Sequence, residues 1–243
     1  NIQGVVADRA NFEDATLRGA SYNGAHLNHA NFQDADLRGA NFSGAVGEGA
    51  NFEDATATGT DYSGAMLNNA VFQDANLQGS NLSGAVLDNA TFEDANLQDT
   101  NLSGAALTNA VFQGANLEGV DMTGVVARGA TFAEAALSRA NLSGAQLDGA
   151  NFSEVSAERV NFRGANLSGA TFEEAEIGGW MVQAMYFSIG QRHDYRPALQ
   201  RITAPTLVLH GANDLQSASV SQGYVDALVN AKLVVVPDAT HFM

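Results

Sequence analysis

Eight carboxylates stand in one periodic set. Positions 14 to 174, taken every twenty residues, read Asp14, Asp34, Asp54, Asp74, Asp94, Gly114, Glu134, Glu154 and Glu174. Beside the first of them run Glu13, Gln33, Glu53, Gln73 and Glu93, alternating acid and amide. Carboxylates brought into one line repel one another, so such a line must gather cations, keep a surface soluble, or face a basic partner. Calcium wants six to eight oxygens around one point, which single carboxylates on a flat wall do not supply. His26 and His29 resemble a metal pair but have no third ligand, and they read as solvated surface histidines. Cysteine is absent, which removes disulfides and thiolate metal sites. No metal and no cofactor is expected.

What must hold the line together is a five-residue register that runs from Asn1 to Gly179 without an insertion. Positions 5, 10, 15 and onward to 175 are Ala at 27 of 35 places, and otherwise Val, Ser or Thr. Two residues after each comes a large apolar side chain, as in Leu17, Tyr22, Leu27 and Phe32. This is neither the helical period of 3.6 nor the strand period of two. A short extended piece followed by a turn, repeated, makes a chain that keeps turning a corner. A second period lies on the first, because Phe12, Phe32, Phe52 and onward to Phe172 are twenty apart, as are Gly4, Gly24 and onward to Gly164. Four five-residue pieces per twenty residues give four sides per coil. Equivalent side chains then stack at the ~4.7–4.9 Å spacing of hydrogen-bonded strands, with the Phe forming an internal ladder. The small residue two positions earlier also faces inward, and glycine suits the corners.

Pentads such as ANLQG, ANLEG, ADLRG and ANLSG resemble those of the pentapeptide-repeat family over about 179 residues. The resemblance implies a mainly β fold, a right-handed quadrilateral β-helix of about nine coils. Gly47, Ala57, Ala127 and Ala157 depart from the pattern by replacing the large central residue. Each is expected to thin the core locally, by up to the ~2–5 kcal/mol of a large-to-small change where neighbours do not fill the gap. Each coil touches only its neighbours, so both open ends need covering. Residues 180–198, with Trp180, Met181, Val182, Met185, Tyr186 and Phe187, are expected to be a helical cap and linker at one end. Nothing comparable precedes Asn1, so the other end is expected either to continue in further sequence or to be closed by a second copy, a homodimer.

Charge divides the chain at the same boundary. Residues 1–179 hold 23 acids against 7 Arg, whereas 180–243 hold four of each sign. The formal net charge of −16 argues against direct contact with nucleic acid or an anionic membrane and favours a basic protein partner. From Gly39 to Ala127 there are eleven acids and no Lys or Arg. Nine coils at ~4.8 Å make a rod of about 43 Å, and a duplex of that length carries roughly 25 phosphates. Some pentapeptide-repeat proteins are DNA-shaped inhibitors or protectors of type II topoisomerases. The resemblance therefore implies duplex mimicry toward a topoisomerase, with Asp14, Asp34, Asp54, Asp74, Asp94, Glu53 and Glu93 as the contact residues. The other reading is that the acidic face only keeps a sheet-walled rod soluble, since nothing in the fold is expected to require it. No apolar run approaches the ~18–20 residues of a membrane span, and no signal peptide is visible, which favours the cytoplasm.

The tail has a different grammar. Thr206–His210 and Lys232–Val236 read as buried strands and Ser217–Asn230 as a helix between them, making a small α/β unit over 199–243. PTLVLHGAND (205–214) and VVVPDATHF (234–242) resemble the C-terminal end of α/β-hydrolases of the proline-iminopeptidase type. That resemblance implies Asp214 as the triad acid and His241 as the base, the base shuttling a serine proton and the acid fixing its tautomer. The Gly-x-Ser-x-Gly elbow such an enzyme needs occurs nowhere in the chain. Three explanations stay open: a fusion relic that caps the β-helix, half of a split enzyme, or part of a larger lidded hydrolase. Alone, the chain is expected not to be a serine hydrolase.

Overall fold

A computed structural model describes residues 3–178, 206–211 and 231–236 of the chain. Over 3–178 the backbone forms a four-sided β-helix. Every outward residue that opens a side pairs in parallel with the residue twenty positions on, from Val6↔His26 to Asn151↔Thr171. The last pairing widens into two short strands, β1 (Ser156–Glu158) and β2 (Glu176–Gly178), in the same register. The side of the coil at Phe12 shows why five residues suffice. Phe12 N–H donates to Asn31 O at 2.7 Å and Asp14 N–H to Gln33 O at 3.0 Å, which ties one coil to the next. Ala15 N–H turns back to Phe12 O at 3.1 Å and closes the corner. The third residue of that turn, Asp14, has φ 57°, the sign that type II turns require at this place.

Inside, the expected ladder is present. Successive Phe rings from Phe12 to Phe172 stack at centroid distances of 4.7–5.0 Å with planes within 10°. A second stack, Tyr22–Phe42–Tyr62, occupies the opposite side at 4.6 and 5.1 Å. The two meet edge-on, as in Phe52–Tyr62 at 5.6 Å and 83°. Offset and edge contacts of this kind add ~0.5–1.5 kcal/mol per pair beyond burial. Where Ala gives way to Thr60, Ser80 and Thr100, each hydroxyl donates to a Leu carbonyl (Leu37 for Thr60, Leu77 for the other two) at 2.6–2.8 Å, so none of these three is stranded.

The expected thinning at Gly47 does not occur. A Cβ there would lie 3.0 Å from Leu67 Cδ2 and 3.4 Å from Ala50 Cβ, so the leucine of the next coil already fills the space. The physical reason is filling from the neighbouring coil. Gly47 and Ala57 alternate with Phe52 and Tyr62, whose rings meet edge-on at 5.6 Å. Ala157 sits likewise between Phe152 and Phe162, whose rings meet at 5.7 Å. Tyr62 Oη is buried in this interior without a hydrogen-bond partner.

In the tail, β3 (Thr206–Gly211) and β4 (Ala231–Val236) pair in parallel, Thr206 with Ala231 through Gly211 with Val236. Both strands lie where the sequence places them. The helix expected over 217–230, the cap over 180–198, Asp214 and His241 fall outside the described residues. Among the described residues no helix is long and apolar enough to cross a membrane.

Two outcomes follow from the packed interior. Gly47→Leu, which restores the repeat pattern, should destabilise by about 1–3 kcal/mol through overpacking, read as a lowered Tm; a raised Tm would show that a gap exists. Burial raises the Tyr22 hydroxyl to about 12 and pushes the Tyr62 hydroxyl up further. A folded-state pKa above the unfolded value of about 10 means that this stability is intact below pH ~10 and is lost as pH rises through the folded value. Tyrosinate absorbance and unfolding should therefore rise together above pH ~10, and Tyr62→Phe should shift the transition upward.

Candidate protein-binding wall

Each outward position of the rod has a local reason for its residue type. The outward side chain that opens a side of the coil is most often Asn or Asp, and its Oδ1 accepts the backbone N–H two residues on. Asn31 does this for Gln33 at 3.2 Å, Asn51 for Glu53 at 3.1 Å and Asp61 for Ser63 at 3.0 Å. These Asx turns cap the N–H that the corner leaves without a ladder partner. Asn side chains also bridge coils, Asn51 Nδ2 to Asn31 Oδ1 at 3.2 Å and Asn116 Nδ2 to Asn96 Oδ1 at 3.1 Å. The sequence marks the position as polar, but its capping role becomes visible only with the turn geometry.

The acidic column occupies the corners themselves. Asp14, Asp34, Asp54, Asp74 and Asp94 have φ of 55–57°, and Glu134, Glu154 and Glu174 have 54–61°. Asp and Asn are the non-glycine residues that visit this region most readily, because a short polar side chain bonds locally. The corner thus favours a short polar residue, a local cause for the column that spacing alone does not show. It does not favour charge, since Asn69, Asn89 and Asn109 hold the same conformation on another edge. The choice of Asp over Asn, and of Glu at three corners where a longer side chain has no such advantage, is left to the surface.

All eight acids of the column are exposed, while Glu53 and Glu93 beside it are half-buried and Glu13 is exposed. Gln73 Nε2 donates to Asp74 Oδ2 at 3.3 Å and Gln113 Nε2 to Glu134 Oε1 at 3.0 Å, so the amides are interleaved with the acids. Asp94 leans over Gly114, where its carboxylate takes the space a Cβ would need. Among the described residues the ion pairs are Arg18–Asp36, Arg38–Asp36, Arg128–Asp148 and Arg139–Glu118. None of them engages the column, so its charge is directed outward. Asp36, held between two arginines, was not singled out from sequence; the signal was Arg18 and Arg38, twenty apart and flanking it. His26 and His29 are both exposed, and His29 folds over Gly49 of the next coil. Among the described residues no group of three or more His, Cys, Asp or Glu is placed to hold a metal ion.

Comparisons with known proteins agree with this geometry. The family described as "Pentapeptide repeat region" matches residues 48–122, and "Pentapeptide repeats (8 copies)" matches 8–46, 105–144, 115–154 and 145–179. Together they span more than half of the chain. HetL, a pentapeptide repeat protein involved in heterocyst differentiation regulation from the cyanobacterium Nostoc sp. strain PCC 7120, is 29% identical. The alignment covers 70% of this chain and 87% of HetL, with a TM-score of 0.52. A pentapeptide repeat protein of the Arabidopsis thaliana thylakoid lumen is 28% identical over 47% of this chain and 69% of its own, with a TM-score of 0.27. QnrB1, a plasmid-mediated fluoroquinolone resistance protein, is 17% identical over 79% of this chain and 97% of its own, with a TM-score of 0.33. The family match and the superposition on HetL support the right-handed β-helix; the other two superpositions are too loose to add to it. The matches end at residue 179 and lend the hydrolase resemblance of 199–242 no support. No curated protein matches the chain.

Corner chemistry and charge separate experimentally. Asp74→Asn keeps a side chain suited to φ 56° and should leave the Tm nearly unchanged. Asp74→Val puts a β-branched residue there and should cost about 1–3 kcal/mol, measured by thermal or urea unfolding.

Proposed function

The chain belongs to the pentapeptide-repeat family, and from that premise we propose that it is a non-catalytic protein-binding scaffold whose acidic wall imitates duplex DNA toward a type II topoisomerase-like partner. The observation that carries the reading is the run of five exposed aspartates, Asp14 to Asp94, on successive corners at the coil spacing and free of arginine pairing. A charge placed every ~4.8 Å on a stiff rod is a pre-ordered row, so a basic groove binds it without first ordering it. The net charge of −16 is carried by the repeat region and is of the order of the roughly 25 phosphates on a duplex of similar length. Glu53 and Glu93 extend the wall to one side, and Gln33 and Gln73 supply neutral hydrogen-bonding groups between charges. HetL, which superposes with a TM-score of 0.52, is named for a part in regulation rather than for catalysis. A scaffold acting by contact is the corresponding reading here.

The test is competition. The full chain is immobilised, DNA gyrase is added at low and moderate salt, and linear duplex DNA is used as competitor. Salt-sensitive binding displaced by DNA is the expected result. Asp34, Asp54, Asp74 and Asp94 changed together to Asn should weaken binding by at least about tenfold while leaving the Tm intact, because Asn serves the same corners. Binding unaffected by the four changes would remove the acidic wall as the site. No binding at either salt would remove this kind of partner.

A further inference from the structure

A different wall carries a second pattern. Its outward opening residues in five successive coils are Val46, Met66, Val86, Ala106 and Val126, each bridged to the next. Met66 is 49% exposed, and the other four are half-buried. On the remaining walls this position is mostly Asn, Asp, Ser or Thr, whose side chains cap the turn. Here that cap is lost, and the fold replaces it from the neighbouring coil. Asn28 Oδ1 accepts Glu48 N–H at 3.0 Å, Asn68 Oδ1 accepts Asp88 N–H at 3.1 Å, and Asp88 Oδ1 accepts Thr108 N–H at 2.8 Å. The apolar column is thus not what the turns ask for.

The edge beside it is also unusual. Every corner from Gly44 to Gly124 on that edge is glycine, yet a Cβ at Gly44, Gly64, Gly84, Gly104 or Gly124 would stand in open space. Other corners accept Asp, Asn, Glu, His and Arg at similar φ. Space therefore does not confine this edge to glycine, although its positive φ favours glycine as it does at every corner. What glycine supplies is a flat rim that another backbone can approach closely.

We propose that this wall binds a second copy of the chain, antiparallel, about a two-fold axis that crosses the wall at Val86. The column is self-complementary in that register. Val86 meets Val86, Val46 meets Val126, and the protruding Met66 meets the short Ala106, so the one large residue falls on the one small one. The polar column alongside agrees: Glu48 of one copy faces Arg128 of the other, twice, and Asn68 faces Thr108. Shifting the register by one coil instead sets Glu48 against Asp148, or Asp8 against Asp148. Asp88 meets Asp88 at the axis, one like-charge contact that opposes the pairing, against two in either shifted register; each carboxylate is held by the Thr108 N–H of its own chain. An isologous contact closes on itself and leaves the other walls free.

Sedimentation equilibrium of the full chain reads this directly. The expected species is a dimer of about twice the 25.3 kDa chain mass. Met66→Lys should raise the dimer Kd at least about tenfold with an unchanged circular dichroism spectrum. Glu48→Arg should weaken the dimer, and Glu48→Arg combined with Arg128→Glu should restore it. A monomer at protein concentrations up to about 100 µM overturns the proposal. So does a dimer indifferent to Met66→Lys, which would have formed through another surface. Failure of the paired exchange to restore the dimer overturns the antiparallel register.

Discussion

Every fifth residue from Gly4 to Glu174 sits at positive φ, and the rest of the architecture depends on that single backbone requirement. The corner places its N–H on the carbonyl of the next coil, so turning and stacking are one event rather than two. Only residues that accept this conformation hold the corner cheaply: Gly first, then Asp and Asn. Once the corner is set, the next residue points inward and must be small, and the central residue two places on is free to be large. The ring stacks at 4.7–5.0 Å are a consequence of a ladder already fixed by the backbone.

The same constraint turns sequence columns into surface columns. Residues twenty apart lie one above another, so an outward position written nine times becomes a stripe along the rod. A globular domain assembles a binding patch from distant loops, whereas here a patch is drafted by periodic choice within one column. The acidic corners and the valine column are two such choices on neighbouring walls. Each replaces what the turn alone would accept, a neutral Gly or Asn at the corner or a capping Asn at the opening position. Departures from local preference mark where the surface has another duty.

Much of this was legible because the register is so regular. Phe12 to Phe172 announce the internal stack, and the Asp column announces its own line on the outside. What escaped the sequence depends on side chains meeting across coils. That Leu67 fills the place beside Gly47 depends on its orientation one coil away, and no count of residue volumes along the chain reveals it. The φ of 55–57° at the aspartates gives them a local cause that spacing alone could not show. Arg38 of the same coil and Arg18 of the preceding one converge on Asp36, a contact between columns of different position within the pentad. The strand pair of the tail was readable from its apolar runs. The proposed roles of Asp214 and His241 rest on resemblance alone.

The two surface patterns bear on one another through symmetry. The acidic wall adjoins the valine wall along one edge. A two-fold axis lying across the valine wall keeps that edge on the same side in both copies. The antiparallel pair therefore sets its two acidic walls side by side, facing one way, with their aspartate rows running in opposite directions. A single wall offers one row of charge, whereas the paired walls offer two antiparallel rows, which is also how a duplex arranges its phosphates. Repulsion between the rows opposes the pairing, but each row lies on the edge of its wall away from the valine wall, so two wall widths part the rows and screening beyond ~8–10 Å weakens it. The apolar column and its Glu48–Arg128 contacts are the terms placed to offset it. On this view the valine wall serves the acidic one, and the dimer is the form in which the resemblance to DNA is most complete.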